Sequence, residues 1–484
     1  MACLQYLYRS GASVALLVLL IGVAVPSRAE TAKPAGSFLD SIGINTHFGN
    51  GIYVGGNAYA DRRIDAKLGE LGVRHIRDHS WNDTALTLVD NLHTTYGINA
   101  NLILGETTRS PVQLVNLLQA HPVYEAIEGL NEPDFSNRTY NNLTDDRASN
   151  SFPATRAFQN DLYAAVKANP QTSGVTVLSP AMGRSNKSQY LMPINFDVAA
   201  MHSYAWASPA TAANEPSFGV SQAISDMSQL RGSKPLIATE SGYYNEPAAN
   251  SKAVPELTIG KYTPRLYAEF FNRGVQRTYL YELADQGPDK TVREQNFGLL
   301  RYDMTEKPAF IALKNLIDLL EESSFSGSAG SQSVNYTMTS PGSLANVHHT
   351  LLQKKDGRFY LLLWQELLGY NSVSKTEINN PPVPVTLTFE ASFKTLGTYL
   401  PGQSATPTAV QYNANVLNIN VPDQMMVIEL NNVPEPAAVA IPALAAICLL
   451  RSCAPRRPRS LPPLPPPVKH WPSQPNPAEP PCEI

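Results

Sequence analysis

Between residues 41 and 283 the chain alternates short apolar runs with stretches whose apolar residues recur every three or four positions, the rhythm of strands followed by helices. "SIGINTHF" (41–48), "VRHIRDH" (73–79), "INANLIL" (98–104) and "VYEAIEGLN" (123–131) read as four strands. "VTVLSPAM" (175–182), "FDVAAMHSY" (196–204), "KPLIATE" (234–240) and "QRTYLYEL" (276–283) read as four more. Helical patterns lie between them, among them "DAKLGELG", "SPVQLVNLLQA", "AFQNDLYAAVKAN" and "TPRLYAEFFNRG". In the second of these Ser110 is placed to cap, Pro111 suits the first turn, and Leu117 and Leu118 face inward; in the last, Thr263 is the expected cap and Gly274 the terminator. Eight strands separated by helices predict an α/β fold, a parallel (β/α)8 TIM barrel over 37–322. An open doubly wound sheet is the competing reading, but no Gly-rich phosphate loop follows the first strand.

Past Ser324 the period changes to two. "GRFYLLLWQE", "VTLTFE", "NVLNINV" and "MMVIEL" are short strands bounded by turn residues, so 325–432 is predicted as an all-β sandwich beside the barrel. Such a domain is either structural support for the barrel or a binding module. The sequence shows no row of exposed aromatics, which favours support.

The two ends have a different character. "MACLQYLYRSGASVALLVLLIGVAVPSRAE" places Arg9 before an apolar run from Ala12 to Val25, and sets Ser27 and Ala29 where a signal peptidase looks for small residues. A secretory signal over 1–29 is the expectation. The apolar run falls short of the ~20 residues of a bilayer span. Cysteines occur only at Cys3, Cys448, Cys453 and Cys482, so the stretch from Glu30 to Ala440 holds no disulfide, thiolate metal site or cysteine nucleophile. At the far end, Pro434-Glu435-Pro436 precedes an apolar stretch from Ala437 to Leu450, then Arg451, Arg456 and Arg457. This segment, 433–458, resembles the bacterial PEP-CTERM sorting signal. The resemblance implies an exported protein, extracellular or at the cell surface, with membrane or surface attachment through this segment. A Pro-rich tail, 459–484, follows and is expected to be disordered. Hydrophobic residues make up 43% of the chain and charged ones 16%, enough for a large core. A net charge of -4 leaves no excess of Lys and Arg for a phosphate backbone, which argues against a nucleic-acid partner.

Carboxylates stand where a barrel of this kind does its chemistry, at the C-terminal ends of strands. The fourth strand ends in Asn131-Glu132-Pro133, with Pro133 stopping the ladder, and the seventh ends in Thr239-Glu240. The sixth ends in His202-Ser203-Tyr204, and the second carries Arg77. Strands four and seven lie nearly opposite each other in an eight-stranded barrel, so their ends can supply two carboxyl groups flanking a glycosidic bond. No His/Asp/Glu ligand cluster is apparent at the strand ends, so neither a metal nor another cofactor is expected. Plainer roles stay open: Glu132 as a helix cap, Glu240 as an ion-pair partner of Arg77, His202 as a satisfied core histidine. Trp81, Trp206, Tyr243 and Tyr244 follow strand ends and are either sugar-stacking or packing groups. A second Asn-Glu-Pro, Asn245 to Pro247, lies in the loop beyond strand seven and is assigned no catalysis.

Asn131-Glu132-Pro133, Thr239-Glu240, His202, Tyr204, Arg77 and "NFGLLRYDMTEKPAFIAL" (296–313) together resemble the glycoside hydrolases of clan A, retaining enzymes on a (β/α)8 barrel. The resemblance implies Glu132 as acid/base and Glu240 as nucleophile. It further implies Asn131 as a partner of the sugar 2-hydroxyl, Tyr204 and Arg77 as orienters of Glu240, and His202 as a substrate or supporting contact. Many clan members end strand eight with a tryptophan that forms a platform under the sugar. This chain reads Tyr279-Leu280-Tyr281-Glu282 instead, which makes Tyr281 the candidate platform and Glu282 a candidate hydroxyl binder. The expectation is an exported retaining β-glycosidase or glycanase with a poly- or oligosaccharide as its partner. The alternative is a catalytically silent carbohydrate-binding or matrix protein on the same fold.

Overall fold

The computed structural model describes residues 28–49, 63–79, 82–211, 219–245, 252–322 and 331–432. Nearly all of the expected signal sequence, together with the sorting segment, the tail and Trp81, lies outside them. Eight parallel strands make the first sheet: β1 (Ile42–Asn45), β2 (His75–Asp78), β3 (Asn99–Leu104), β4 (Tyr124–Leu130), β5 (Thr176–Val177), β6 (Ala199–His202), β7 (Leu236–Ser241) and β8 (Thr278–Leu280). Their order, β6-β7-β8-β1-β2-β3-β4-β5, follows the chain round. The edge strands β5 and β6 are themselves tied by a parallel bridge between Leu178 and Val198, with the Ser179 N–H donating to the Val198 carbonyl at 3.0 Å. The sheet is therefore barrel-like.

Helices alternate with these strands: α1 (Arg63–Leu71), α2 (Asp83–Tyr96), α3 (Pro111–Ala120), α4 (Pro153–Ala168), α5 (Val220–Asp226), α6 (Glu256–Asn272) and α7 (Pro308–Leu320). Between β5 and β6 the described crossover is a 3-10 helix, Ser185–Leu191. Local chemistry sets the helix ends as expected in α3, where Ser110 and Gln113 form a reciprocal capping box, Pro111 opens the helix, and Leu117 and Leu118 are buried. Helix α6 corrects the expectation at Thr263. The helix begins at Glu256 and Thr263 lies inside it, its hydroxyl donating to the Ile259 carbonyl at 2.9 Å. A buried stripe of Ile259, Tyr262, Leu266 and Phe270 runs through Pro264, so packing carries the helix across the proline. Gly274, at φ 77, ends it as predicted.

The second sheet combines β9 (Ser333–Thr339), β10 (Val347–Gln353), β11 (Phe359–Gln365), β12 (Val383–Tyr399), β13 (Ala409–Val421) and β14 (Met426–Asn431) with two short strands that precede the barrel, Arg28–Thr31 and Lys33–Pro34. Where two packed sheets are predicted, the hydrogen bonds make one. The reason is β12, which runs 17 residues through an irregularity between Thr388 and Phe393, pairing β9 with its first half and β14 with its second. The curled sheet encloses its own core of Leu361, Leu387, Phe389, Leu396 and Ile428. Strand β11 serves both sides: Leu361 and Leu363 enter that core, while Tyr360, Leu362 and Trp364 join the barrel's. Buried polar ties reinforce the contact. Arg265 of α6 pairs with Glu366 at 2.8 Å and donates to the Asp423 and Leu367 carbonyls, and Glu269 accepts from Trp364 Nε1 at 2.9 Å. Among the described residues no helix is long and apolar enough to cross a membrane.

Candidate active site

Alternation along each strand turns one set of side chains into the barrel. Low in the interior this set is apolar, with Ala126, Val198, Ala200, Ile237 and Tyr279 in one cluster. Toward the C-terminal ends of the strands it becomes polar. Arg77, 1% exposed, is the hub. Its Nε and NH2 donate to both oxygens of the fully buried Glu128, at 2.7 and 3.1 Å. Its NH1 donates to Asn45 Oδ1 and Glu240 Oε1, both at 2.8 Å, and its NH2 also reaches Asn131 Oδ1 at 2.8 Å. One guanidinium thus ties together β1, β2, β4 and β7.

Glu240 reaches this hub through an irregularity in β7. Ile237 joins the interior cluster and Ala238 the core outside the barrel, so strict alternation would turn Glu240 outward. Register shifts between Met201 and His202 and between Ala238 and Ser241 re-aim it. Tyr204 then donates to Glu240 Oε2 at 2.8 Å, so both carboxylate oxygens are held. Glu132 is placed by a similar departure, at φ 46, where a side-chain-bearing residue is uncommon, with its N–H donating to the Ala181 carbonyl at 2.8 Å. His202 lies between the two carboxylates, its Nδ1 2.9 Å from Glu132 Oε1 and 3.6 Å from Glu240 Oε2.

The two glutamates are driven apart in acidity. Burial alone would push Glu240 up, but the charges of His202 and Arg77, with hydrogen bonds from Arg77 and Tyr204, bring it down to about 2. Burial raises Glu132, with the charges of Glu240 and Asp134 adding to it, against the hydrogen bond and charge of His202. For His202, burial opposes the charged ring, yet Glu240 and Glu132 outweigh it and hold the pKa above its ordinary value.

The sequence shows no metal-ligand cluster, and here the structure corrects it: Glu132, His202 and Glu240 each offer one ligand atom, all within 4.8 Å of one another. The positive charge such a set could draw is already present in Arg77, and both Glu240 oxygens are engaged by Arg77 and Tyr204.

Around this centre stands an aromatic wall. Tyr204 stacks on Trp206 with ring centroids 5.1 Å apart, Trp206 meets Tyr244 edge-on at 6.2 Å, and Phe297 touches Tyr244 and Tyr281 at 5.0 and 5.1 Å. Tyr281 is half-buried and meets His47 edge-on at 5.4 Å. Glu282 is fully buried; its carboxylate takes His47 Nε2 at 3.0 Å and Gln286 Nε2 at 3.1 Å, which replaces the expected direct contact with a sugar hydroxyl by a hold on His47. Tyr243 turns away into the core against Tyr262, and Tyr244 is buried within the wall. Asn245 of the second Asn-Glu-Pro accepts from Lys307 Nζ at 3.0 Å and donates to Glu256, a structural tie; Glu246 and Pro247 lie outside the described residues.

Sequence reasoning missed Asn45, His47, Glu128 and Phe297. Glu128 left a signal: a carboxylate two residues after Ala126 on the inward register of an apolar strand. Its pairing with Arg77 yields a test. Arg77→Met leaves a buried carboxylate uncompensated and should destabilise the fold by about 3–5 kcal/mol. Adding Glu128→Gln should recover most of the lost Tm but none of the activity lost with Arg77, as read by thermal unfolding beside turnover.

No protein-family model matches the chain, and neither does any curated protein sequence. Solved structures do. A family 39 glycoside hydrolase from the gut symbiont Bacteroides cellulosilyticus WH2 superposes with a TM-score of 0.54 at 12% identity, over 82% of this chain and 81% of that one. A glucosidase from Croceicoccus marinus superposes with a TM-score of 0.51 at 9% identity, over 77% of this chain and 92% of that one. At such identities the likeness is one of fold, and the chain shares the mixed α/β, barrel-like fold of these glycoside hydrolases.

Proposed function

We propose that the protein is an exported β-glycoside hydrolase that cleaves a poly- or oligosaccharide with retention, on a (β/α)8 barrel. The carrying observation is the approach of Glu132 and Glu240 to within 4.8 Å, oxygen to oxygen, with opposite acidities. Retaining enzymes hold their carboxyl groups ~5–5.5 Å apart, whereas inverting ones leave ~6.5–9.5 Å for a water. Glu240, kept ionised by Arg77, attacks the anomeric carbon while Glu132 gives its proton to the leaving oxygen. A covalent glycosyl ester on Glu240 results. Glu132, now a carboxylate, takes a proton from water as the water's oxygen attacks the same carbon; the sugar leaves with its original anomeric configuration and both groups return to their starting states. Because Asn131 Oδ1 accepts from Arg77, its amide nitrogen remains to donate to the sugar 2-hydroxyl. Tyr281, braced by His47 and Phe297, is the platform under the sugar, and Trp206 extends the wall. Export rests on the N-terminal signal pattern, and surface attachment on the C-terminal segment.

A panel of β-linked aryl glycosides and neutral and acidic polysaccharides tests the reading. Hydrolysis of at least one is expected, with turnover unchanged by EDTA, because Arg77 and His202 supply the positive charge around the carboxylates. Loss of turnover in EDTA, restored by a divalent ion, would contradict the mechanism. No hydrolysis on any substrate, with glycan binding retained, would identify a silent carbohydrate-binding protein instead.

A further inference from the structure

Three residues beyond Glu132, Phe135 stands at the centre of a small cationic clasp. Its N–H donates to the Glu132 carbonyl at 3.0 Å, which turns the chain directly after the acid/base position. The loop after β5 is pinned to this turn, since the Asp134 carboxylate accepts from the backbone N–H groups of Gly183 and Arg184 at 2.8 and 3.2 Å. Gly183 allows the close approach: a Cβ there would lie 2.2 Å from the Phe135 ring. Arg184 lies over that ring, its guanidinium carbon 5.3 Å from the centroid, and Arg147 donates to the Phe135 carbonyl. Neither guanidinium has a carboxylate within ion-pair distance among the described residues. The contrast is local: Arg138, on the same loop, pairs with Glu106 at 2.9 Å. A guanidinium carries its N–H donors in a planar fork, which matches a carboxylate or sulfate in a two-pronged hydrogen bond.

We infer that the leaving-group side of the cleft binds an anionic sugar unit through Arg184 and Arg147, and hence that the substrate is an acidic glycan bearing carboxylate or sulfate groups. The inference rests on Glu132 being the acid that meets the leaving oxygen. It accounts for two guanidinium groups that, among the described residues, have no carboxylate partner and that both contact Phe135 on the turn after Glu132, in a chain whose net charge is -4.

The test uses the full chain carrying Glu240→Gln, which binds without turnover, titrated calorimetrically with hexuronate, sulfated-hexose and neutral-hexose tetrasaccharides at low and physiological salt. One anionic series should bind more tightly than the neutral one, lose affinity as salt rises, and lose at least ~10-fold in affinity when Arg147→Gln and Arg184→Gln are added. The hexuronate and sulfate arms decide which anion is read. Circular dichroism and Tm of the triple variant, unchanged from Glu240→Gln, exclude misfolding; if they change, the single Arg184→Gln variant, whose backbone bond to Asp134 is untouched, decides between the outcomes in the same titration. Equal affinity for neutral and anionic series, or anionic affinity unmoved by the arginine changes, overturns the inference. Wild-type hydrolysis of neutral glycans without acidic-glycan binding defeats this inference alone, whereas no hydrolysis on any glycan defeats the glycosidase reading itself.

Discussion

Glu240→Gln should reduce kcat by on the order of 10^4-fold or more while leaving the chain folded. The loss is large because the ester to the sugar cannot form on an amide. Folding should survive because the amide keeps the volume, its oxygen still accepts from Arg77, and the guanidinium retains its two bonds to Glu128. Turnover on the best substrate of the glycan panel, beside a melting curve, checks both halves. A variant with more than about a tenth of wild-type kcat would remove Glu240 from the nucleophile's role.

Glu132→Gln is expected to act differently according to the leaving group. An alkoxide leaving group needs the proton, so natural glycosidic bonds should be cleaved ~10^2 to 10^4-fold more slowly, whereas an activated aryl glycoside should form its glycosyl-enzyme almost unaided. The pH profile separates the roles further. Activity falls on the acid side as Glu240 takes up a proton, and its carboxyl is held down at about 2. It falls on the alkaline side as Glu132 loses one, and burial has raised that group. The wild-type profile should therefore be bell-shaped with its acid limb far below neutrality, and Glu132→Gln should flatten the alkaline limb for aryl substrates. An alkaline limb unchanged by the substitution would assign it to another group.

Much of the barrel was legible because buried parallel strands read as unbroken apolar runs, and all eight segments named from the sequence hold a strand of the first sheet. Glu132 and Glu240 stood out because each is a charge placed directly after such a run. What stayed hidden depends on long-range register. Thr263-Pro264 imitates a helix start, and only the buried stripe from Ile259 shows that α6 passes through it. The second sheet looked like two because its strands are short in hydropathy, while β12 crosses its own irregularity without leaving the ladder. The role of Glu128 and the burial of Glu282 stayed hidden for a shared reason: a carboxylate's burial depends on the cation facing it, Arg77 for one and His47 for the other, and those partners are 51 and more than two hundred residues away in sequence. Tyr243 and Tyr244, adjacent in the chain, ended in separate clusters, a parting that only the backbone path beyond β7 could decide.

The central claim, double displacement with Glu240 as nucleophile and Glu132 as acid/base, is tested most directly by azide rescue, with the product anomers read by NMR. In Glu240→Gly the anion should fill the nucleophile's vacancy and attack an activated β-glycoside once, giving the α-glycosyl azide. In Glu132→Ala the glycosyl-enzyme still forms on Glu240, and azide entering from the acid/base side should displace it in a second inversion, giving the β-azide. The same anomer from both variants, or the two anomers exchanged, would contradict the account.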